Sequence, residues 1–280
     1  MKTITNTKTD QLKQCVSYII LIVAILFFLF PIYWMITTSL KESKLAFSDF
    51  PVWFFKITLD NFRVILYERG FANFLTNSIV VTIFSTLLTL FLGGCIAYSI
   101  TRFRVIGSKP IMSWILSLRM IPPITAVVPI YLVAKSLNIL DTYLVLILIY
   151  TFMNLPISAW LIKSYLGDIP QDLEEAARID GCSHVQAFIR ITIPLAIPGI
   201  IATGIICIIF AWNEFLYANI LTGTAAKTAP VALTAYATPV SILWGQIFAS
   251  GTLVILPVTI VGLIFQKYLV RGLTLGALKE

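Results

Sequence analysis

The chain has 280 residues, of which 59% are hydrophobic and only 12% are charged, and its formal net charge is +7. Soluble globular domains carry about 25% charged residues, so this composition excludes an ordinary soluble protein and predicts a chain that lies in a lipid bilayer. The basic residues stand singly at the ends of apolar stretches, which favours a signal for membrane orientation over nucleic-acid binding.

Apolar segments long enough to cross a bilayer occur six times along the chain. A spanning helix needs about 20 mostly apolar residues. The predicted spans are 16–38, 74–100, 111–135, 143–166, 196–220 and 248–270. Because these spans and their connections use the whole length, we predict an all-α polytopic membrane protein with one transmembrane domain over 1–280.

The first span and the basic residues determine the predicted orientation. The apolar run from Val16 to Thr37 is longer than the roughly 7–15 residues of a signal-peptide core, so it is expected to remain as a membrane helix. Lys and Arg are more frequent in the short connections on the same side as the N-terminus. The positive-inside rule therefore predicts that both termini are cytoplasmic.

The third span contains one arginine and two adjacent prolines. Pro122 and Pro123 remove backbone donors and are expected to bend this span, as Pro257 is expected to bend the sixth. Arg119 is costly inside a bilayer. It is expected to face a cavity or a partner subunit, or to bond to carbonyls freed by the prolines.

Polar and aromatic residues mark the far end of the fifth span. Trp212, Asn213 and Tyr217 offer the stacking surfaces and hydrogen bonds that sugars use, although a tryptophan at a span end is also a common interfacial anchor. Glu214 is expected near the outer surface, either as an interfacial residue or as a helper at an outer gate. With Arg119, these four residues are the candidates for a translocation path.

The connection 167–195 is polar, unlike most of the chain. Gly181 is placed to end a first short helix in a left-handed conformation. Ser183 with Gln186 three residues later predicts a capping box for a second helix, which Pro194 is expected to end or kink. The pattern predicts a helix–turn–helix. Two amphipathic helices lying on the inner leaflet without a partner are the alternative.

Residues for catalysis or metal binding are scarce. His184 is the single histidine, and the four cysteines have no paired spacing, so neither a metal cluster nor a Ser-His arrangement is indicated. No glycine-rich phosphate-binding motif occurs. The chain is therefore expected not to be an enzyme and to bind no cofactor itself, and the near absence of acidic residues within the spans argues against an ion-coupled transporter.

The 167–195 connection also carries the main resemblance to a known family. Glu175-Ala176-Ala177, then Gly181, Ile191 and Ile193-Pro194 resemble the EAA signature of ABC-importer permeases, with Ile193 where that signature has leucine. Further matching segments are Met120–Pro123, Ala211–Phe215, Ile255–Pro257, Gln266-Lys267 and Arg271–Lys279. Together they resemble the six-helix permeases of carbohydrate-uptake ABC importers of the maltose/trehalose type, which have the type I importer fold.

The resemblance implies a function and a set of partners. The expected function is import of a di- or oligosaccharide across the bacterial or archaeal cytoplasmic membrane; a sugar alcohol, a monosaccharide or a glycerol phosphodiester is the alternative solute. The expected partners are a second homologous permease, two ATPase subunits that use ATP-Mg and an extracytoplasmic sugar-binding protein, with no nucleic acid. Coupling to the ATPase would involve Glu174, Glu175, Ala176, Ala177, Asp180 and Gly181. A scaffold protein without an ATPase partner remains the competing class.

Overall fold

A computed structural model describes residues 7–46, 48, 50–103, 105–236 and 243–275, with side chains from residue 11 to residue 267 within those ranges. The described residues form helices and connections, with no strand among them. They divide into two compact units, Met1–Gly70 with Ala235–Leu253, and Phe71–Thr234 with Val254–Glu280. The single domain over 1–280 stays a prediction.

The first unit is built around one long helix. Helix α1 (Thr7–Ser39) is followed by the short helices α2 (Ser43–Ala46) and α3 (Asp60–Arg63), and a π-helical turn continues α3 over Val64–Glu68. The buried Asn61 side chain donates from Nδ2 to the carbonyls of Ser39 and Lys41 at 3.0 and 2.7 Å. These bonds fix α3 to the end of α1.

The second unit contains most of the remaining helices. In chain order they are α4 (Phe71–Arg102), α5 (Ser108–Ser117), α6 (Pro123–Ser136), α7 (Tyr143–Gly167), α8 (Asp172–Ile179), α9 (His184–Ala187), α10 (Ile193–Trp212), α11 (Leu216–Leu221) and α12 (Ala229–Leu233). The last helix, α13 (Trp244–Leu275), contributes to both units.

Small residues let the long helices of the second unit approach closely. A Cβ added at Gly93 on α4 would collide with Ser158 on α7, and one added at Gly199 on α10 would collide with the ring of Tyr165. Glycine at such positions permits backbone-to-backbone packing of membrane helices. The packed centre of α4, α7 and α10 gives the unit its core.

Five described helices are long and apolar enough to cross a membrane: Gln11–Ser39, Phe71–Arg102, Tyr143–Gly167, His184–Trp212 and Trp244–Lys267. The pair Ser108–Met120 and Pro123–Ser136 passes the same test together and is bent by 90°. Counted as one broken span, the pair completes the six that the sequence predicts. The bend lies at Pro122 and Pro123, as predicted. Pro257 lies inside α13, and a bend there stays a prediction.

The helix at the predicted fifth span, 196–220, has different bounds, and the bounds of the span itself stay a prediction. The helix runs continuously from His184 to Trp212, so Pro194 does not end it. A π-helical turn over Phe188–Thr192 immediately precedes α10, and this wider turn relieves the clash between a proline ring and the preceding carbonyls. At the other end the helix stops at Trp212, eight residues before the predicted end.

Candidate functional site

The predicted helix–turn–helix is present, and we call residues 172–192 the coupling region. Its first helix, α8, ends in a Schellman motif. Gly181 has φ +93°, its N–H donates to Arg178 O at 3.1 Å, and the Cys182 N–H donates to Ala177 O at 3.0 Å. This pattern satisfies the last carbonyls of the helix and requires a left-handed residue, which confirms the predicted role of Gly181 in ending α8.

The second helix begins with the predicted capping box. The Gln186 N–H donates to Ser183 Oγ at 3.3 Å, and the Ser183 N–H donates to Gln186 Oε1 at 2.9 Å. Both orphan donors at the start of α9 are thereby satisfied. Because α9 continues through the π turn into α10, this cap lies at the start of a helix that is long enough to span the membrane.

Glu174 is the buried centre of the coupling region. It is 7% exposed, and its carboxylate accepts hydrogen bonds from Arg102 Nε at 2.6 Å, from the Thr192 hydroxyl at 2.6 Å and from the Tyr98 hydroxyl at 2.9 Å. Arg102 also donates from Nη2 to Ile169 O at 3.1 Å. One carboxylate therefore joins α8 to the end of α4 and to the start of the fifth span.

The hydrogen bonds keep Glu174 ionised. Burial raises the pKa of this carboxyl, but the bonds from Thr192, Arg102 and Tyr98 more than offset burial, so the pKa lies below its ordinary value. An ionised carboxylate facing a guanidinium makes short, charge-assisted bonds. The cluster formed by Glu174 and its three partners is therefore charged and largely closed to water.

Aromatic side chains pack beside the Glu174 cluster. The ring of Tyr98 lies 4.3 Å from that of Phe188 and 5.9 Å from that of Phe103, measured between centroids. Phe103 in turn lies 5.6 Å from the His184 ring. These contacts attach the start of the second coupling helix to the end of α4, beside the polar contacts of Glu174.

The opposite face of the coupling region is exposed. Glu175, Ala176, Asp180 and Gly181 are exposed, whereas Ala177 is buried with Glu174. Four large apolar side chains of the coupling region are exposed, and Ile179 is 87% exposed. The other three are Leu173, Val185 and Ile189. Exposed large apolar side chains close together in the sequence of one helix pair favour an interaction site.

Arg119 lies at the break between α5 and α6. Its Nη1 donates to Met153 O on α7 at 3.0 Å, and its guanidinium carbon lies 4.3 Å from the centroid of Phe210 on α10. The acceptor is thus a carbonyl of the fourth span, not one freed by the prolines of the third. Arg119 remains exposed and connects the broken span to α7 and α10.

The candidates near the end of α10 divide into buried and exposed residues. Trp212 is buried and donates from Nε1 to Val254 O at 3.0 Å, and Tyr217 is buried and donates to Pro123 O at 3.0 Å. Asn213 is exposed. Glu214 accepts from the backbone N–H groups of Tyr217 and Ala218 at 2.8 and 3.1 Å, so it caps α11 instead of standing inside a span.

A second carboxylate, which sequence analysis missed, organises the connection after α11. Asp141 accepts bonds from the N–H groups of Thr224, Ala225 and Ala226, each at 3.0 Å. Burial raises the pKa of Asp141, but bonds from these amides and from Gly223 more than offset it and lower the pKa to about 2. The 222–229 connection is therefore clamped to the turn between α6 and α7.

The same connection is held by α4. Asn77 donates from Nδ2 to Ala225 O and Lys227 O, each at 2.9 Å, and accepts from the Tyr143 hydroxyl at 2.7 Å. The Ala229 N–H donates to Ser78 Oγ at 2.8 Å. No short motif in the sequence signals these partners, because they lie about 65 to 150 residues apart.

The described residues thus form an α-helical membrane protein with several apolar helices long enough to span a bilayer, one broken span and a polar helix pair between two spans. Residues 89–275 match the family described as binding-protein-dependent transport system inner membrane component. The chain belongs to this family and is a permease of the ABC-importer class.

Curated relatives align with almost the whole chain. The trehalose/maltose transport system permease MalG of Thermococcus litoralis is 34% identical over 276 residues, covering 97% of this chain and 99% of that protein. The sulfoquinovosyl glycerol transport system permease SmoH of Agrobacterium fabrum is 36% identical over 254 residues, covering 90% and 89%.

Solved structures give the same fold. A chain of a bacterial ABC transporter involved in import of the acidic polysaccharide alginate superposes with a TM-score of 0.78 at 24% identity, covering 93% of this chain and 97% of that one. This likeness confirms the predicted fold class.

Proposed function

We propose that this permease carries an oligosaccharide or related glycoside into the cytoplasm and is driven by a separate ATPase that docks on the coupling region. The solute class is supported by the relatives above, which are named for trehalose/maltose and for sulfoquinovosyl glycerol. A partner ATPase is supported by the exposed face around Ile179, set opposite the buried Glu174. The observation that carries the proposal is that one side of α8 exposes Ile179 while the other side is held by the buried contacts of Glu174.

The mechanism is transmission of a displacement through a rigid element. ATP with Mg²⁺ would be bound and hydrolysed by the ATPase, whose movement displaces the α8 and α9 pair. Because Glu174 joins α8 to Arg102 on α4 and to Thr192 on the fifth span, that displacement reaches two spans together. Loose coupling helices would absorb the movement instead.

The complete assembly contains this chain, a second homologous permease, two ATPase subunits and an extracytoplasmic sugar-binding protein. Both termini and the coupling region face the cytoplasm, which the distribution of Lys and Arg supports. The solute passes the exposed side chains of Arg119 and Asn213, whereas Trp212 and Tyr217 act mainly through packing because they are buried.

Replacing Ile179 by aspartate tests the docking face. Ile179→Asp places a charge in the apolar contact and should abolish co-purification of the ATPase with the assembly, while the chain still inserts into the membrane. Ile57→Asp is the matched control, since Ile57 is also an exposed isoleucine, at 70%, but lies outside the coupling region. Undiminished ATPase recovery with Ile179→Asp would contradict the docking proposal.

Uptake measurements test the solute. Cells that express the complete transport system should accumulate a labelled di- or oligosaccharide, and deletion of this permease should abolish the uptake. Uptake of only a sugar alcohol, a monosaccharide or a glycerol phosphodiester would contradict the solute assignment without affecting the docking proposal.

A further inference from the structure

A cavity of about 390 Å³ lies in the first unit, at the C-terminal end of α1. Its walls include Trp34, Thr38 and Lys41 from the end of α1 and the residues just after it, and Trp244 and Phe248 from the start of α13. The Trp244 and Phe248 rings are stacked with centroids 5.8 Å apart. The volume lies in the range of small-molecule binding pockets, about 300–1,000 Å³.

Lys41 is a buried cation in this cavity, and no described residue pairs with it as an anion. It is 2% exposed, and its Nζ lies 4.5 Å from the centroid of Trp34 and 5.1 Å from that of Phe55. The ion pair found among the described side chains, that of Arg102 with Glu174, does not involve Lys41. Aromatic faces stabilise a cation, but they provide no acceptor for the three ammonium donors.

Burial also lowers the pKa of Lys41 below its ordinary value. An anion bound in the cavity would reverse that shift, because a nearby opposite charge favours the protonated ammonium.

Thr38 provides a second polar group that lacks a partner. The hydroxyl of its neighbour Thr37 bonds back to the Tyr33 carbonyl at 2.9 Å, and Ser39 bonds to the Ile36 carbonyl at 2.6 Å. The Thr38 hydroxyl is buried and has no hydrogen-bond partner within the part of the chain that the structure describes. A hydroxyl in the last turn of a helix usually bonds to a preceding carbonyl, so its unbonded state here leaves it available to a ligand in the cavity.

The surroundings of the cavity match the head-group layer of a membrane. Phe54 is 97% exposed, and Phe50 and Trp53 are also exposed, while α1 supplies a span that ends at Ser39. Exposed aromatic residues just beyond the end of a span are typical of the membrane–water interface. The anion most abundant at that depth is a lipid phosphodiester.

We propose that this cavity binds a phosphate-bearing group, supplied by the head group of an anionic membrane lipid, with the Lys41 ammonium paired to the phosphate and the Thr38 hydroxyl donating to it. The stacked aromatic rings enclose the glycerol part of the head group. A neutral sugar fits the aromatic walls but leaves the buried charge unpaired. The site belongs to the permease itself and is independent of which solute is carried.

Native mass spectrometry of the full-length chain released from nanodiscs tests the proposal. Nanodiscs that contain equal amounts of phosphatidylglycerol and phosphatidylcholine should yield chains that retain phosphatidylglycerol in preference. Lys41→Gln should lower retained phosphatidylglycerol at least fivefold, and Thr38→Val, which keeps the side-chain shape, about twofold to fivefold. Lys44→Gln is the matched control, because Lys44 is exposed, and should change retention less than twofold.

Further measurements separate the possible sources of the phosphate. Retention that persists in tens of millimolar inorganic phosphate supports a lipid ligand. Binding of inorganic phosphate without retained phosphatidylglycerol would overturn the lipid assignment, and unchanged retention in both Lys41→Gln and Thr38→Val would overturn the site. Asp49→Asn, at a position outside the described residues, should leave retention unchanged; a rise to higher retention would indicate that a carboxylate of the chain normally occupies the cavity and would overturn the proposal.

Discussion

The Nε of Arg102 lies 2.6 Å from Oε1 of Glu174, although 72 residues separate the two in the chain. Arg102 ends a spanning helix and Glu174 lies in the first helix of the coupling region. Both side chains are largely buried, at 7% and 9% exposure. This ion pair directly joins the coupling region to α4, which is the second span.

The first prediction concerns Glu174→Gln. The substitution keeps the shape of the side chain but leaves the Arg102 charge buried and unpaired, and breaking a buried pair in this way costs about 3–5 kcal/mol. We expect faster hydrogen exchange of the amides 172–180 and reduced uptake, with the chain still in the membrane. Glu175→Gln, at an exposed neighbour, should leave the amide protection unchanged.

A double variant separates the ion pair from general damage. Arg102→Gln combined with Glu174→Gln removes both charges, so the uncompensated charge disappears and part of the amide protection should return. Protection in the double variant that equals the sum of the two single losses would contradict a direct coupling between these side chains.

The second prediction is a pH dependence at Asp141. Because the folded-state pKa of about 2 lies below the ordinary value, the clamp stabilises the fold fully above about pH 4 and loses this effect as the pH falls toward about 2. At pH 7, Asp141→Asn should lower the Tm by about 2–6 °C, which corresponds to one or two charge-assisted hydrogen bonds.

The Tm difference between the wild type and Asp141→Asn should therefore shrink between pH 4 and pH 2.5. Asp60→Asn serves as the control, since Asp60 is exposed and its carboxylate has no role in the clamp. A difference that stays constant down to pH 2.5 would show that the Asp141 carboxylate does not hold the connection.

The third prediction compares two adjacent glycines on α4. A Cβ at Gly93 would collide with Ser158, whereas a Cβ at Gly94 would meet nothing within 4 Å. Gly93→Ala should therefore destabilise the packing of α4 on α7 by about 1–3 kcal/mol, and Gly94→Ala should be neutral or slightly stabilising. Thermal unfolding of the two variants in the same detergent measures the difference.

Adding Ser158→Gly to Gly93→Ala should restore much of the lost stability, because it removes the side chain that the new methyl group meets. If Gly93→Ala and Gly94→Ala unfold at the same temperature, the proposed close approach of the two helices does not exist.

Local signals in the sequence were enough to predict the two coupling helices and the caps at their ends. Gly181 and the Ser183–Gln186 box predict the turn between the coupling helices because they act over two to three residues. Pro122 and Pro123 likewise predict the break in the third span. The continuation of the helix through Pro194 has a local cause too, since a proline predicts a helix end unless a π turn precedes it.

The centre of the site was only partly predictable. Glu174 and Glu175 are adjacent acidic residues, and the sequence pattern does not indicate which of them is buried. That choice depends on Arg102 and Tyr98, more than 70 residues away, which become neighbours only after α4 and α7 pack together. The same applies to Asp141, whose partners are backbone amides that carry no signal in the sequence.

The fourth prediction tests the coupling region itself through Gly181. With φ at +93°, a β-branched residue is strained there by about 1–2 kcal/mol, although an added Cβ would meet nothing within 4 Å. Gly181→Val should therefore distort the turn between the coupling helices without a clash in the chain. Gly181→Asn is the matched variant, because asparagine tolerates this conformation.

The most direct measurement is the number of solute molecules taken up per ATP hydrolysed in proteoliposomes that contain the complete assembly. If the coupling region transmits the ATPase movement, Gly181→Val lowers this ratio at least fivefold relative to the wild type, while Gly181→Asn remains within twofold of it. An unchanged ratio in Gly181→Val, with normal amounts of inserted protein, would contradict that role of the coupling region.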